Sequence, residues 1–538
     1  MKNYLTRSLI FIAVFMATLP AGIYSQQDNQ GQSIELPDFV ITGVQSVTIP
    51  KMEKNKPSFI STISDEFFRP KLINEEFSDL DRTEPIQKEK ELLENFEVNN
   101  GILKLGAGIR TLPLGEFIYS TGWENFMLNT HVWGSDVKEY VDYAGYNVSG
   151  ASAIANIFVS NKSDFLPGLN ISVKGKLYRD KYNLYNSLGN YWLRETDNIF
   201  GNVLLSNFLN KSFKYSLNLY GTFIDLKPQN IEESVYKGSA SIEFNFWGLS
   251  LGGSGGITSQ SFDSKFLIND TQNYYDTEFN LGFTAIKNLK LNLGVNYSKQ
   301  DTNNLLAPKI NFVYSFDKSI HLIAEYSPHT QFNTMRDFID SNPYFAGDYF
   351  KTIFTKYKKF AKVALKFEYL KYFEIDGGMT IAEIDGLYFM QDLNNDGRFE
   401  LYTSNNVNDI SAFLKFMFHQ GPYGYFYGDL IFRYATEESS KRIPYIPIAK
   451  SALEYGYNYD FGFTIKTKVN AAFSPYTDLT NSEKLPNYYN LACYLNYSLV
   501  KNFDITFGFE NLLNRDNYIL KGYQEKPFDI IFGIDYRW

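Results

Sequence analysis

Phe528-Asp529-Ile530-Ile531-Phe532-Gly533-Ile534-Asp535-Tyr536-Arg537-Trp538 closes the chain. Every second residue, Phe528, Ile530, Phe532, Ile534, Tyr536 and Trp538, is apolar. Asp529, Ile531, Gly533, Asp535 and Arg537 fall between them. In an extended chain successive side chains point to opposite faces, so this is a strand with one oily face and one mostly polar face. Two settings suit such a strand: the edge of a water-soluble sandwich, or a wall with lipid on one side and water on the other.

The same rhythm recurs upstream. Leu289, Leu291, Leu293, Val295 and Tyr297 alternate with Lys290, Asn292, Gly294, Asn296 and Ser298. Val363, Leu365, Phe367 and Tyr369 alternate with Lys362, Ala364, Lys366 and Glu368, and Leu491, Cys493, Leu495, Tyr497 and Leu499 repeat the pattern. Some connections are very short, at Asn288, Asp317-Lys318-Ser319, Gly421-Pro422 and Lys501-Asn502. Others are long and polar, at about 135–150, 180–190, 300–306, 330–355 and 436–449. Short turns on one side and long loops on the other are the arrangement of outer-membrane barrels. The expectation is an all-β fold, a transmembrane antiparallel β-barrel of about 22 strands over residues 101–538, located in the cell outer membrane. Lipid is then its first partner. The final strand, with its outward Phe528, Ile530, Phe532, Ile534, Tyr536 and Trp538, is the element offered to the barrel assembly machinery.

Composition agrees. Aromatics are 17% of the 538 residues, with 41 Tyr and 47 Phe. Past residue 25 no apolar run approaches the roughly 20 residues a membrane helix needs. Excess aromatic content without such runs suits aromatic girdles on a barrel. The net charge of −9 and the lack of a basic tract argue against nucleic acid as a partner. The single cysteine, Cys493, sits in an alternating strand facing outward and has no internal partner for a disulfide.

Residues 1–25 read as a secretory signal peptide: Lys2 and Arg7, then the apolar run Ser8 to Leu19, then a small residue at Ser25. Residues 26–100 are rich in Glu, Lys, Asn and Pro and show almost no alternation, which suits an extended periplasmic segment. Within it, residues 88–96 suit either one short helix or a solvated charge run.

Chemistry-bearing residues are sparse. The four histidines, His131, His321, His329 and His419, lie in or beside different strands and suggest no catalytic set, so no enzyme is expected. Asp392, Asn394 and Asp396, followed by Gly397, match the opening of a calcium loop, yet position twelve is Thr403 rather than a bidentate Glu. The same residues suit a hairpin loop whose Asp396-Gly397 supplies a positive-φ turn. No other cofactor is expected. Inward-facing charges are mixed, among them Lys174, Lys176, Lys362, Lys366, Lys415, Asp429 and Arg433, which favours hydration and internal pairing over strong ion selection.

The segment Glu510-Asn511-Leu512-Leu513-Asn514-Arg515-Asp516-Asn517-Tyr518, followed by the last strand, resembles the C-terminal hairpin of TonB-dependent receptors. Near the N-terminus Asp38-Phe39-Val40-Ile41-Thr42-Gly43 resembles that family's TonB box, an extended segment that pairs as a strand with periplasmic TonB. The resemblance implies a 22-stranded barrel that imports a solute across the outer membrane. A departure accompanies it: family members carry a globular plug between box and barrel, whereas here only residues 45–100 intervene, too few and too polar for such a plug. The chain thus looks like a plug-less variant. Loops and tail can fill its lumen, a separate plugging or periplasmic partner can, or the lumen stands open. The other reading of the whole is a scaffold barrel that anchors a periplasmic or surface complex without transport.

Overall fold

Asp529–Arg537 pairs on one side with Phe503–Glu510 and on the other with the first strand, Gly101–Gly108, so the sheet closes on itself. The seam is antiparallel and runs from Ile102 opposite Arg537 to Gly108 opposite Ile531. Asn100 and Gly101 both donate their backbone N–H to the Trp538 carbonyl, at 2.7 and 3.1 Å. Gly101 lies directly under the Trp538 indole; a Cβ there would come within 2.1 Å of the ring, so a side chain would displace the terminal aromatic. This computed structural model describes residues 100–538, apart from 124, 161–165, 187–191, 208–211, 228, 265–269, 285, 287, 348–352, 370–372 and 420–423. The expectations for the signal peptide, the Asp38–Gly43 segment and the helix at 88–96 lie outside the described residues, as does the turn at Gly421-Pro422.

One antiparallel sheet of 23 segments forms the wall. Two of them, Ile320–Tyr326 and His329–Asn333, both pair with Ile353–Tyr369. They are one strand interrupted at Ser327-Pro328, where proline has no N–H to give the ladder. The barrel therefore has 22 strands, as the spacing of turns anticipates. Closure pairs the first strand with the last, so the sheet ends in no free first or last strand among the described residues, a condition the hydrocarbon interior imposes.

The two faces sort as the alternation requires. Leu105, Leu177, Leu219, Val295, Val363 and Phe532 are exposed on the outside, where lipid covers them. Asp504, Asp529, Glu243, Lys366 and Asn280 are buried on the inside. Trp123, Trp247, Phe316 and Phe461 crowd the short-turn rim, and Trp247 is 96% exposed. A fully exposed indole on a turn suits the membrane interface, where an amphipathic ring is at home.

Turn geometry follows the sequence at Asn288 and Asn502, both in the left-handed region. One expected long loop, 300–306, is instead a tight turn at Asp301-Thr302. Asn303–Ser315 begins at once and pairs Asn303 with Gln300. Its first residues are polar because the strand rises above the membrane, where neither face needs to be oily. Three long loops escape the periodicity reading: 386–406, 473–487 and 511–528.

Candidate functional site

The barrel is wide. With strands about 4.8 Å apart and tilted by about 40°, 22 strands give a diameter of about 40 Å. Its long-loop end is nevertheless crossed by its own loops. Tyr185 follows the fifth strand, Tyr344 lies between the thirteenth and fourteenth, and Tyr523 lies between the last two, so their loops are rooted roughly a third of the circumference apart. All three side chains meet. The rings of Tyr344 and Tyr523 stack with centroids 3.6 Å apart, and Tyr185 packs edge-on against Tyr523 at 5.0 Å. Around them Met335, Phe338, Phe345, Met390 and Phe399 form a continuous apolar core with Ile224, Leu226 and Ile231 from the strand ends.

Hydrogen bonds tie the roof together. Tyr185 and Tyr140 donate their hydroxyls to the Gln524 carbonyl at 2.8 and 3.1 Å. Tyr523 donates to the Gly397 carbonyl at 2.5 Å, and Ala346 N–H donates to the Phe399 carbonyl. Lys521 spans to Glu483 at 2.6 Å and to Asn395 at 2.9 Å. Burial among other tyrosines pushes the Tyr344 phenol well above its ordinary value, so the centre of the roof stays neutral.

Two ionisable wall residues, Arg194 and Glu233, hold the roof from the side. Arg194 is 1% exposed and donates to three carbonyls of the segment it grips: Pro343 at 2.9 Å, Phe345 at 2.5 Å and Ala346 at 3.3 Å. Tyr182 adds a fourth bond, to Pro343 at 2.6 Å. A guanidinium presents donors in a planar fork, and this one is spread across a turn of backbone. Glu233 accepts from the Met335 N–H at 2.8 Å, at the start of the short helix Met335–Ser341. That helix also carries its own capping box, Thr334 with Asp337.

The Glu510–Tyr518 segment builds the root of the last loop. Asn511 and Asn514 both adopt left-handed backbone, the conformation asparagine tolerates best after glycine. The Asn511 amide donates to the Arg515 and Lys526 carbonyls at 2.9 and 3.3 Å. Asn517 donates to the Tyr489 carbonyl and accepts from its N–H, tying the last loop to the strand beside it. Beneath, Lys526 sits between Glu510 at 2.6 Å and Asp529 at 3.0 Å, and Asp529 accepts from Thr111 and from Arg110 N–H across the seam.

The remaining sequence candidates are dispersed. Asp392 lies in the roof, and its two carboxylate oxygens accept from the N–H groups of Asp396 and Gly397 at 3.0 and 2.8 Å. Burial raises its pKa and these bonds oppose the rise. Asp396 accepts from Arg398 N–H. Each of these oxygens keeps a further lone pair beyond the N–H it accepts. Among the described residues no group of three or more His, Cys, Asp or Glu is placed to hold a metal. Three of the histidines do not converge: His131 meets Glu116 at 2.8 Å, His321 meets Ser315, and His329 stacks on Tyr357. Cys493 is half-buried beside the Thr467 hydroxyl.

Lumen charges are mixed and largely matched within the wall. Lys104 pairs with Glu116, Lys214 with Glu243, Lys309 with Glu278, and Lys366 with both Glu368 and Glu374. Arg433 forks onto Asp409. Sequence alternation places such residues inside. Arg194, Glu233, Tyr344 and Tyr523 escape it, since a single loop aromatic or a wall charge above the membrane leaves no periodic trace.

Roof, wall and seam together define a class: a wide outer-membrane barrel whose outer mouth is closed by its own loops. Solved structures share the barrel fold. The chain is similar to the ferric-catecholate import receptor Fiu from K12 E. coli in its closed form, with TM-score 0.60, 9% identity and 82% of each chain covered. It is similar to the FrpB iron transporter from Neisseria meningitidis, with TM-score 0.62, 10% identity and 82% of each chain covered. The copper transporter OprC matches with TM-score 0.61 at 10% identity over 81% of this chain and 80% of that one. At these identities the likeness is one of fold. No family model matches the sequence, and no curated protein matches it.

Proposed function

We propose that this chain is an outer-membrane import receptor of the TonB-dependent kind, admitting a solute too large for small pores. The observation that supports this most is the tyrosine-centred roof. A barrel about 40 Å across that stood open would breach the membrane's permeability barrier, and a simple pore has no need of a packed hydrophobic lid. A lid that must move calls for a ligand outside and an energy source inside. Asp38-Phe39-Val40-Ile41-Thr42-Gly43 offers the second, because β-branched residues favour the extended form that strand addition requires. Import of an iron chelate or a copper ion, the business of the similar structures named above, is the kind of task this architecture suits.

A pull-down with a periplasmic TonB domain tests the reading. The full-length chain is expected to retain the domain, and replacing Val40 and Ile41 together with proline is expected to abolish retention, since proline removes the donors that strand pairing uses. Unchanged retention by the proline variant would remove energised import from the account.

A further inference from the structure

Glu233 lies at the long-loop end of the strand Ile231–Phe246, 1% exposed, with its side chain beneath the roof helix Met335–Ser341. Its cross-strand neighbours are Ile224 and Phe262, both buried and apolar. The residue beside it, Glu232, points to the other face and stands opposite Asp225 and Asp263. Three carboxylates on the outside place this level of the wall above the hydrocarbon. One oxygen of Glu233 accepts from the Met335 N–H at 2.8 Å and from the Gln260 amide. The other oxygen is buried with no hydrogen-bond partner among the described residues. No cationic side chain among those residues pairs with the group, and the charge that faces it from the roof helix is Asp337, of like sign.

Another face of the same helix is compensated. Arg336 pairs with Asp340 at 3.7 Å, one helical turn on, and its guanidinium stands 5.4 Å from the Tyr178 ring. Asp180 of the wall feels Asp340, with Lys176 and Arg336 acting against that repulsion. Glu233 has no such counter-charge. An anion between two apolar neighbours is costly there, whereas a protonated carboxyl is neutral and still accepts from Met335. Burial, the largest influence, pushes the Glu233 carboxyl up to about 7; the Met335 N–H, the Gln260 amide and the Arg336 N–H oppose the rise, and Asp337 adds to it. When the helix lifts away, water reaches the group and its ordinary value of about 4.5 returns.

We propose that Glu233 makes the roof a proton-linked latch: seating the helix on this carboxyl takes up a proton, and lifting the helix gives the proton back. The latch belongs to the roof alone and operates whether or not TonB drives the opening. An acid raised in the closed mouth favours closure at low pH, and that advantage fades as pH climbs from about 4.5 to about 7. The mouth therefore opens more readily at neutral than at mildly acidic pH. Asp180 is pushed up to about 6 by burial and by Asp340, against Lys176 and Arg336, and adds to the same trend below that value. Glu525, at the root of the last loop, titrates in the range of Glu233. Substitution of Glu233 itself separates its share from theirs.

Planar-bilayer recordings of the purified full-length barrel across this range test the latch, reading the fraction of time open rather than the unit conductance. For the wild type that fraction is expected to rise about fivefold from about pH 6 to about pH 7. E233Q holds the neutral form and keeps an acceptor for Met335. It is expected to lose most of the rise and stay shut at both values, with heat-modifiable migration unchanged. Q260L removes a donor that favours the anion, so its rise is expected to continue to higher pH than in the wild type. A wild type without the rise, the same rise in folded E233Q, or a Q260L curve that levels off where the wild type does would overturn the proposal.

Discussion

Tyr344 and Tyr523 stack face to face, 3.6 Å between centroids and 19° between planes, although their loops spring from distant arcs of the barrel. The stack is the keystone of the outer mouth, since Tyr185, Phe399 and the Gly397 carbonyl all reach it. An aromatic pair contributes about 0.5–1.5 kcal/mol beyond its area burial. The stack adds this to the apolar core and the hydrogen bonds that surround it.

Arg194 should govern how firmly the roof segment is held. Replacement by Met keeps much of the side-chain volume and strips the carbonyls of Pro343, Phe345 and Ala346 of their charged donor, at about 1–3 kcal/mol. The expected result is faster protease cleavage within residues 334–347 on intact cells, with the barrel itself still resistant. Equal cleavage of wild type and R194M would show that the guanidinium does not secure the roof.

Glu525 gives the last loop a pH dependence. Burial, the largest influence, pushes its carboxyl up to about 7, with Glu510 adding to the rise and Tyr488 and Lys526 opposing it. An acid raised on folding holds a proton that the unfolded chain has already released. Its stabilisation is complete below the ordinary glutamate value of about 4.5 and fades as pH climbs to about 7. Thermal unfolding of the wild type should therefore move to lower temperature across that window, and E525Q should flatten that part of the curve. A profile with the same slope in both proteins would contradict the assignment.

Lys526 should matter to closure of the cylinder. It lies between Glu510 and Asp529, beside the joint of first and last strands. K526M leaves two buried carboxylates without their cation, at about 3–5 kcal/mol. The folded band on a semi-native gel should convert at a lower temperature in K526M. Adding E510Q and D529N should restore part of the difference, because the uncompensated charges are then gone. No restoration would mean that shape rather than charge makes Lys526 valuable.

Much of this architecture could be read from residue order, and the reason is physical. Lipid on one side and water on the other force a two-residue period on every spanning strand, so Phe532, Ile534 and Tyr536 declare their face without any knowledge of the partners. The roof obeys no such rule. Tyr344 and Tyr523 meet through loops whose course depends on where each strand pair stands in the ring, and no local pattern encodes that. The misread loop at 300–306 belongs here too: Asn303 and Asn304 are strand residues, yet above the membrane a strand need not alternate. Asp392 and Asp396 carry a cation-loop spelling, and the carboxylate of Asp392 accepts from N–H groups of its own turn.

Planar-bilayer conductance of the full-length barrel, wild type beside Y344A/Y523A, tests the central claim most directly. The account predicts a wild type that is shut for most of the recording and a double variant with large, long-lived openings and unchanged heat-modifiable folding. A wild type already conducting at the level of the double variant would contradict it, because the mouth would then not be closed by these two rings.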